Sequence, residues 1–300
     1  MSNTDHPFDA TQRALWMAHT LALPAPVREA LEALCPRLPW HDLAPHIRAL
    51  CDARKAPDAQ KTLAGILASG EDNSGFAQLA AHLAAAGLTR QRYREAGVDD
   101  TIFWETMRCF PRFLSETHAS TGRWAFDRAF WTWRQTSCCL FRLGTLEFEY
   151  RTADETQIPG VQAGSAVLSV HIPSDARFTE EALAASYAQM RRFFSREGSA
   201  FCTQGTPAAV VCSTWLLAPA LLPLLPEGSG IRRFASGYIL YAVDEDDPGF
   251  YHWLFGGSSP VDELPGRTSL QRAVKAYLAQ GGKVGSARGV LRPPGVPQAI

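Results

Sequence analysis

Two periodicities divide the chain. Up to about residue 135 the apolar residues recur at helical spacing, alanine and leucine dominate, and β-branched runs are absent, which predicts an all-helical segment. Gly75 to Ala86 reads as one helix closed by Gly87 as a C-cap glycine, and a short helix over 89–95 ends at Gly97. Asp99 or Asp100 caps a longer helix carrying Ile102, Phe103, Met107, Phe110 and Leu114. Pro111 sits inside that pattern, so a kink or break is expected there. Over 124–141, Trp124, Phe126, Phe130, Trp131, Trp133 and Phe141 spread around more than one helical face. That pattern predicts a helix buried on several sides, joining the two halves.

After Gly144 the period changes to two. Leu146, Phe148 and Tyr150 alternate with Thr145, Glu147, Glu149 and Arg151, predicting a half-buried strand whose polar face meets solvent. A turn-rich stretch over 152–164 leads to a strand over 166–172. Thr179 then opens an amphipathic helix with the stripe Leu183, Tyr187, Met190 and Phe194, and Phe178 and Leu183 form a hydrophobic staple. A strand over 208–217, a proline-punctuated turn over 218–225 and a strand over 236–243 follow. Thr268 and Gln271 make a capping box for the last helix, whose core face is Leu270, Val274, Tyr277 and Leu278 and which Gly281-Gly282 ends. The strand, helix, strand unit over 166–217 is expected to be parallel with a right-handed crossover. The expected organisation is therefore helical over 1–135 and mixed α/β over 136–292, with a frayed tail over 293–300.

Composition narrows the function. The 300 residues are 46% hydrophobic and 20% charged with net charge −1, an ordinary globular balance that offers nucleic acid no basic field. The most apolar run, 214–226, is short and broken by Pro219 and Pro223, so no membrane span is expected. The N-terminus lacks the basic and apolar regions of a secretory signal, and seven cysteines without framework spacing read as reduced cytoplasmic thiols. There is no G-x-S-x-G, H-E-x-x-H or C-x-x-C, His41 and His46 are five apart, and no metal site is expected.

Five segments carry a resemblance. Trp124, Asp127-Arg128, Trp131 and Trp133 resemble a tryptophan-rich helix. Arg142-Leu143-Gly144 with Leu146 and Phe148-Glu149 resembles an RLG-x-L-x-FE segment, and Val170-His171-Ile172-Pro173 a V-H-I-P strand end. Cys212 and Thr214-Trp215-Leu216-Leu217 with Pro219 resemble C-x-S-W-L-L-x-P, and Thr268-Ser269-Leu270-Gln271-Arg272 matches a T-S-L-Q-R helix start. Together, over roughly 80–291, they are similar to bacterial acyltransferase-domain proteins with a helical N-acyltransferase N-terminal domain and a GNAT-like C-terminal domain. Thr214 stands where the family usually has serine, and Gly230 where it often has asparagine. The resemblance implies an α+β fold, a helical domain packed on a GNAT-like domain with a mixed, partly parallel sheet. It also implies acyl transfer from acyl-CoA to a small-molecule amine or hydroxyl bound in a cleft between the domains.

Such chemistry needs a base, an oxyanion donor, an acid for the leaving thiolate and donors for the coenzyme's diphosphate. His171, at the end of the 166–172 strand, and Glu149, on the alternating strand, are the candidate bases. Strand-end N–H groups are the oxyanion donors, and Thr214 or Ser213 supplies a hydroxyl near the split between the parallel strands. The stretch 216–226 holds no tyrosine to act as acid, which leaves Tyr238 and Tyr241 as substitutes, and Cys212 could be a nucleophile only with His171 as partner. The turn Pro173 to Thr179 lacks glycine and runs into Glu180-Glu181, which repel a diphosphate. Arg267, Ser269 and Arg272, followed by the glycine-rich stretch with Lys283, Ser286 and Arg288, offer a second anion cradle, and Trp215 joins them as a cofactor contact. The competing account is a non-catalytic ligand-binding or regulatory module on the same fold.

Overall fold

The helical half becomes two sets of helices in the computed structural model, which describes residues 9–68, 73–153 and 158–293. The first set is α1 (Ala10–Thr20), α2 (Ala25–Leu34), α3 (Trp40–Ala49), α4 (Ala56–Leu67) and α5 (Phe76–Glu95). The second is α6 (Asp100–Met107), α7 (Cys109–Thr121) and α8 (Ala129–Thr136). Gly87 does not end a helix: α5 runs through it, because the absent Cβ lets the Arg13 stem of α1 lie against the α5 backbone. Asp99 caps α6 by accepting from Thr101 N. The break expected at Pro111 falls at Arg108, so the proline sits in the first turn of α7, where a missing N–H costs nothing.

The expected aromatic helix over 124–141 is the largest departure. Only α8 is helical, and residues 140–143 are already a strand. The buried face of α8 is Ala129, Thr132, Gln135 and Thr136, while Phe130 is 61% exposed and Trp131 and Trp133 are half-buried around the Arg134 guanidinium at 4.1 and 4.5 Å. Three of these four side chains are short, and α8 lies close on α5, where Thr89 Oγ1 donates to Thr136 O at 2.5 Å. Arg92 ties the same junction together, donating to the carbonyls of Cys51 and Ser137.

The strands are β1 (Leu140–Leu143), β2 (Leu146–Thr152), β3 (Ala166–His171), β4 (Val210–Thr214), β5 (Tyr238–Asp244) and β6 (Ser286–Leu291). They form one mixed sheet in the order β1-β2-β3-β4-β6-β5. β3 and β4 are parallel, joined by α9 (Glu180–Phe194), and the other described pairings are antiparallel. The remaining helices are α10 (Gly230–Ser236), α11 (Gly249–Phe255) and α12 (Ser269–Ala279). The Thr268–Gln271 capping box opens α12, whose Val274 is buried. Of the glycine-rich stretch read as an anion cradle, 286–289 is the start of β6, inserted between β4 and β5, and Lys283 before it pairs with Asp246 at 2.6 Å. The strand expected over 208–217 stops at Thr214, whose hydroxyl caps a 3₁₀ turn over Trp215–Leu217 by accepting from Leu216 N. The tail from residue 294 lies outside the described residues.

Two compact units result, one up to Arg142 with Arg196–Phe201, the other Leu143–Ser195 and the residues from Cys202 on. Phe201 belongs to the first because its ring packs on Tyr93 at 5.7 Å and Phe141 at 5.4 Å. No described helix is long and apolar enough to cross a membrane.

Two residues give stability tests. His82 is fully buried in α5, donates from Nε2 to Gln60 Oε1 at 2.5 Å, and burial pushes its imidazole down to about 3. The unfolded chain therefore binds a proton between pH 6.5 and about 3 that the folded chain does not. This contribution is full above pH 6.5 and is lost as pH falls, at up to about 1.4 kcal/mol per pH unit. Urea unfolding across that window should lose this slope in His82→Gln, and an unchanged slope would contradict the assignment. Gly285 has φ +65°, and a Cβ there would come within 2.1 Å of Asp244 O. Gly285→Ala should lower stability by about 3 kcal/mol in the same assay.

Candidate active site

The RLG segment sets the geometry. Gly144 turns the chain at φ +69°, with no side chain to strike Ser186 of α9. Ser186 Oγ donates to Leu143 O and accepts from Leu146 N at 3.2 Å. Thr145 Oγ1 accepts from Arg177 N at 2.6 Å and donates to Arg177 O at 3.2 Å. These bonds hold the start of β2 against α9 and the turn before it.

With β2 so held, its register on β3 pairs Glu147 with His171 and Glu149 with Ser169. All four side chains share one face of the sheet. His171 Nε2 lies 2.7 Å from Glu149 Oε2. The two residues read from the sequence as rival bases are thus one hydrogen-bonded pair. The polar face of β2 is not solvated as expected: Glu147 is 3% exposed and Glu149 7%. An ionised carboxylate only accepts, so with Glu149 charged the shared proton is on Nε2, and a neutral His171 ring then has its lone pair on Nδ1. The pair stands at the C-terminal end of β3, where the parallel pairing to β4 stops at Val170 and Cys212.

The other candidates lie elsewhere. Thr214 follows Cys212 on the opposite face, and its hydroxyl is used in its cap. Cys212 is buried, its thiol donates to Val170 O at 3.4 Å, and burial pushes its pKa far up, which removes a thiolate partnership with His171. Tyr238 is buried on that same face, 2.9 Å from the Tyr187 hydroxyl, and burial raises both phenols. Trp215 is half-buried in an apolar cluster with Leu216, Phe250 and Val274. Arg272 donates to the carbonyls of Gly266 and Arg267, the capping box occupies Gln271 N, and Ser269 and Arg267 are exposed. Among the described residues no three His, Cys, Asp or Glu side chains gather as a metal site.

An open depression of about 630 Å³ lies at the start of α9. Arg177 and Arg233 supply its cations, Glu180 and Glu181 its anions, and Gly228 and Gly230 its narrow wall. Hydrogen bonds from its own N–H and from Thr179 hold the Glu181 carboxyl below its usual range. Gly230 is required here, because a Cβ would come within 2.6 Å of Phe178 Cβ. The turn over 173–179 thus has no glycine of its own, and Gly228 and Gly230, far onward in the chain, line the same depression. The only sequence signal for this meeting was the departure noted at Gly230.

Comparison with known proteins agrees with this architecture. The N-acyltransferase N-terminal domain family matches residues 16–138, and the GNAT-like C-terminal domain family matches residues 140–291. No curated protein matches the chain. The crystal structure of an acyltransferase in complex with decanoyl-CoA and teicoplanin is 24% identical with a TM-score of 0.77, covering 94% of this chain and 88% of that one. That of an acyltransferase in complex with CoA and 10C-teicoplanin is 20% identical with a TM-score of 0.66, covering 94% and 99%. At such identities the likeness is one of fold. With more than half its length matched by the C-terminal family and most of the rest by the N-terminal one, the chain belongs to the proteins that join an N-acyltransferase N-terminal domain to a GNAT-like C-terminal domain.

Proposed function

We propose that this protein transfers an acyl group from acyl-CoA to a small-molecule amine or hydroxyl, with His171 as general base and Glu149 as its positioning residue. The observation that carries this is the 2.7 Å contact between His171 Nε2 and the buried Glu149 carboxylate at the end of β3. Glu149 holds the ring and stabilises the imidazolium that forms when Nδ1 takes the acceptor's proton. The acceptor attacks the thioester carbonyl, and strand-end N–H groups where β3 and β4 part receive the developing oxyanion. Collapse of the tetrahedral intermediate breaks the C–S bond, releasing coenzyme A as its thiolate, which takes up a proton. An amine acceptor and an acyl chain longer than acetyl are the preferred pairing. Support comes from the N-acyltransferase family match and from similar structures that hold decanoyl-CoA, octanoyl-CoA and teicoplanin.

The coenzyme's phosphates have two proposed seats. The depression bearing Arg177 and Arg233 is favoured for its two arginines, which must outweigh the repulsion from Glu180 and Glu181 in the same lining. The alternative is Arg267, Ser269 and Arg272 with Trp215, where Arg272 must first release its carbonyl partners.

Calorimetric titration with acetyl-CoA, decanoyl-CoA and free coenzyme A tests both readings. Micromolar binding, weakened about tenfold or more in Arg177→Ala/Arg233→Ala and unchanged in Arg267→Ala/Arg272→Ala, is expected. The converse pattern moves the phosphates to α12, and no binding sinks acyl-CoA chemistry. With a primary-amine acceptor and decanoyl-CoA, His171→Ala should lower kcat by about 10²- to 10⁴-fold with KM little changed. Glu149→Gln should lower kcat on the order of 10²-fold. Tight acyl-CoA binding without turnover on any amine or alcohol would favour the non-catalytic module.

A further inference from the structure

The sheet ends at β5, which pairs with β6 on one side, and no described strand lies beyond it. Natural sheets blunt such edges with short strands, lysine, proline, bulges or inward charges, because an open edge is a template for another chain. β5 has seven residues, Tyr-Ile-Leu-Tyr-Ala-Val-Asp, without lysine or proline. Its single irregularity is a bulge between Leu240 and Ala242. Ile239 is 45% exposed, Leu240 38% and Val243 48%, which makes β5 the main concentration of exposed large hydrophobics among the described residues. Singly exposed apolar residues are ordinary, but three on one edge strand are not.

The charges around β5 are sorted by end. Its C-terminal end runs into Asp244, Glu245, Asp246 and Asp247, with Lys283 bound to Asp246. Its N-terminal end carries Arg292, whose N and Nε donate to Gly237 O and Ser236 O, while Arg232 and Arg233 of α10 turn to the carbonyls of Leu225 and Phe178. A parallel copy would set acid on acid and base on base. An antiparallel copy sets each acidic end beside the other's basic end, and does so twice, as a two-fold axis requires. By the register with β6, Leu240 and Val243 share one face of β5 and Ile239 lies on the other, and the same arrangement brings Leu240 of each copy toward Val243 of the other.

We propose that two copies of this chain associate through antiparallel pairing of their β5 edges, doubling the width of the sheet. A contact limited to one strand pair and its flanking charges is small for a permanent dimer, so the association is reversible and concentration-dependent. β5 is separated from β3 by β4 and β6, so association leaves the strands bearing Glu149 and His171 as they are.

Sedimentation velocity over a broad concentration range tests this, with circular dichroism to verify folding. The expected result is a monomer that shifts toward twice its mass as concentration rises. Leu240→Lys/Val243→Lys should weaken self-association by about tenfold or more while the monomer keeps its activity. Should that variant fail to fold, the charge series decides: Asp244→Arg/Glu245→Arg should weaken association, and adding Arg292→Glu should restore it. A monomer at every concentration overturns the proposal, as does a dimer indifferent to both sets of changes.

Discussion

The register of β2 on β3 is the constraint on which the candidate site rests. Side chains in a strand alternate between faces, so a slip of one residue would carry Glu147 and Glu149 to the side of Phe148 and Cys212. The slip is blocked locally. Gly144 turns the chain where Ser186 leaves no room for a side chain, and Ser186 and Thr145 bond to backbone on both sides of the turn. The opposite face adds an apolar lock, with Phe148 packed edge-on against Tyr187 at 6.1 Å. The RLG-x-L-x-FE motif thus has a physical content: glycine for the turn, apolar residues for the α9 side, and glutamate for the side of His171.

Burial makes the pair chemically distinctive. A solvated histidine and glutamate gain little from each other, whereas a glutamate 7% exposed cannot replace its partner with water. A hydrogen bond to an ionised glutamate favours the tautomer with its proton on Nε2. The same sheet separates this chemistry from the thiol and phenol groups behind it. Cys212, Tyr187 and Tyr238 are on the α9 side, with pKa values pushed up by burial, and serve as packing.

The helical unit uses polar residues in its interior for close approach. Thr89, Thr132 and Thr136 are fully buried, and each bonds to a backbone carbonyl, so their cost of burial is offset within a turn or across one contact. That is why α8 turns its small residues inward and leaves Phe130 exposed, against the expectation from its aromatic content.

The chain's own pattern determined the helical and mixed halves, the parallel pair around α9 and the Thr268 cap, narrowed the α6 cap to Asp99 or Asp100, and put His171 and Glu149 forward as candidate bases. These follow from periodicity and capping chemistry, which act within a few residues. Periodicity misjudged Gly87, because a glycine that allows a helix contact looks like one that ends a helix until the neighbouring Arg13 is known. It misjudged the polar face of β2, because alternation reveals which residues share a face but not what covers it. The end of the glycine-rich stretch became the start of β6 for a similar reason: a strand between two partners draws its stability from their backbones and needs little apolar signal of its own. Only the tertiary structure decided that Glu149 and His171, 22 residues apart, are one hydrogen-bonded pair, and that Gly230 abuts Phe178. Both depend on distances between segments that no local rule of sequence can carry.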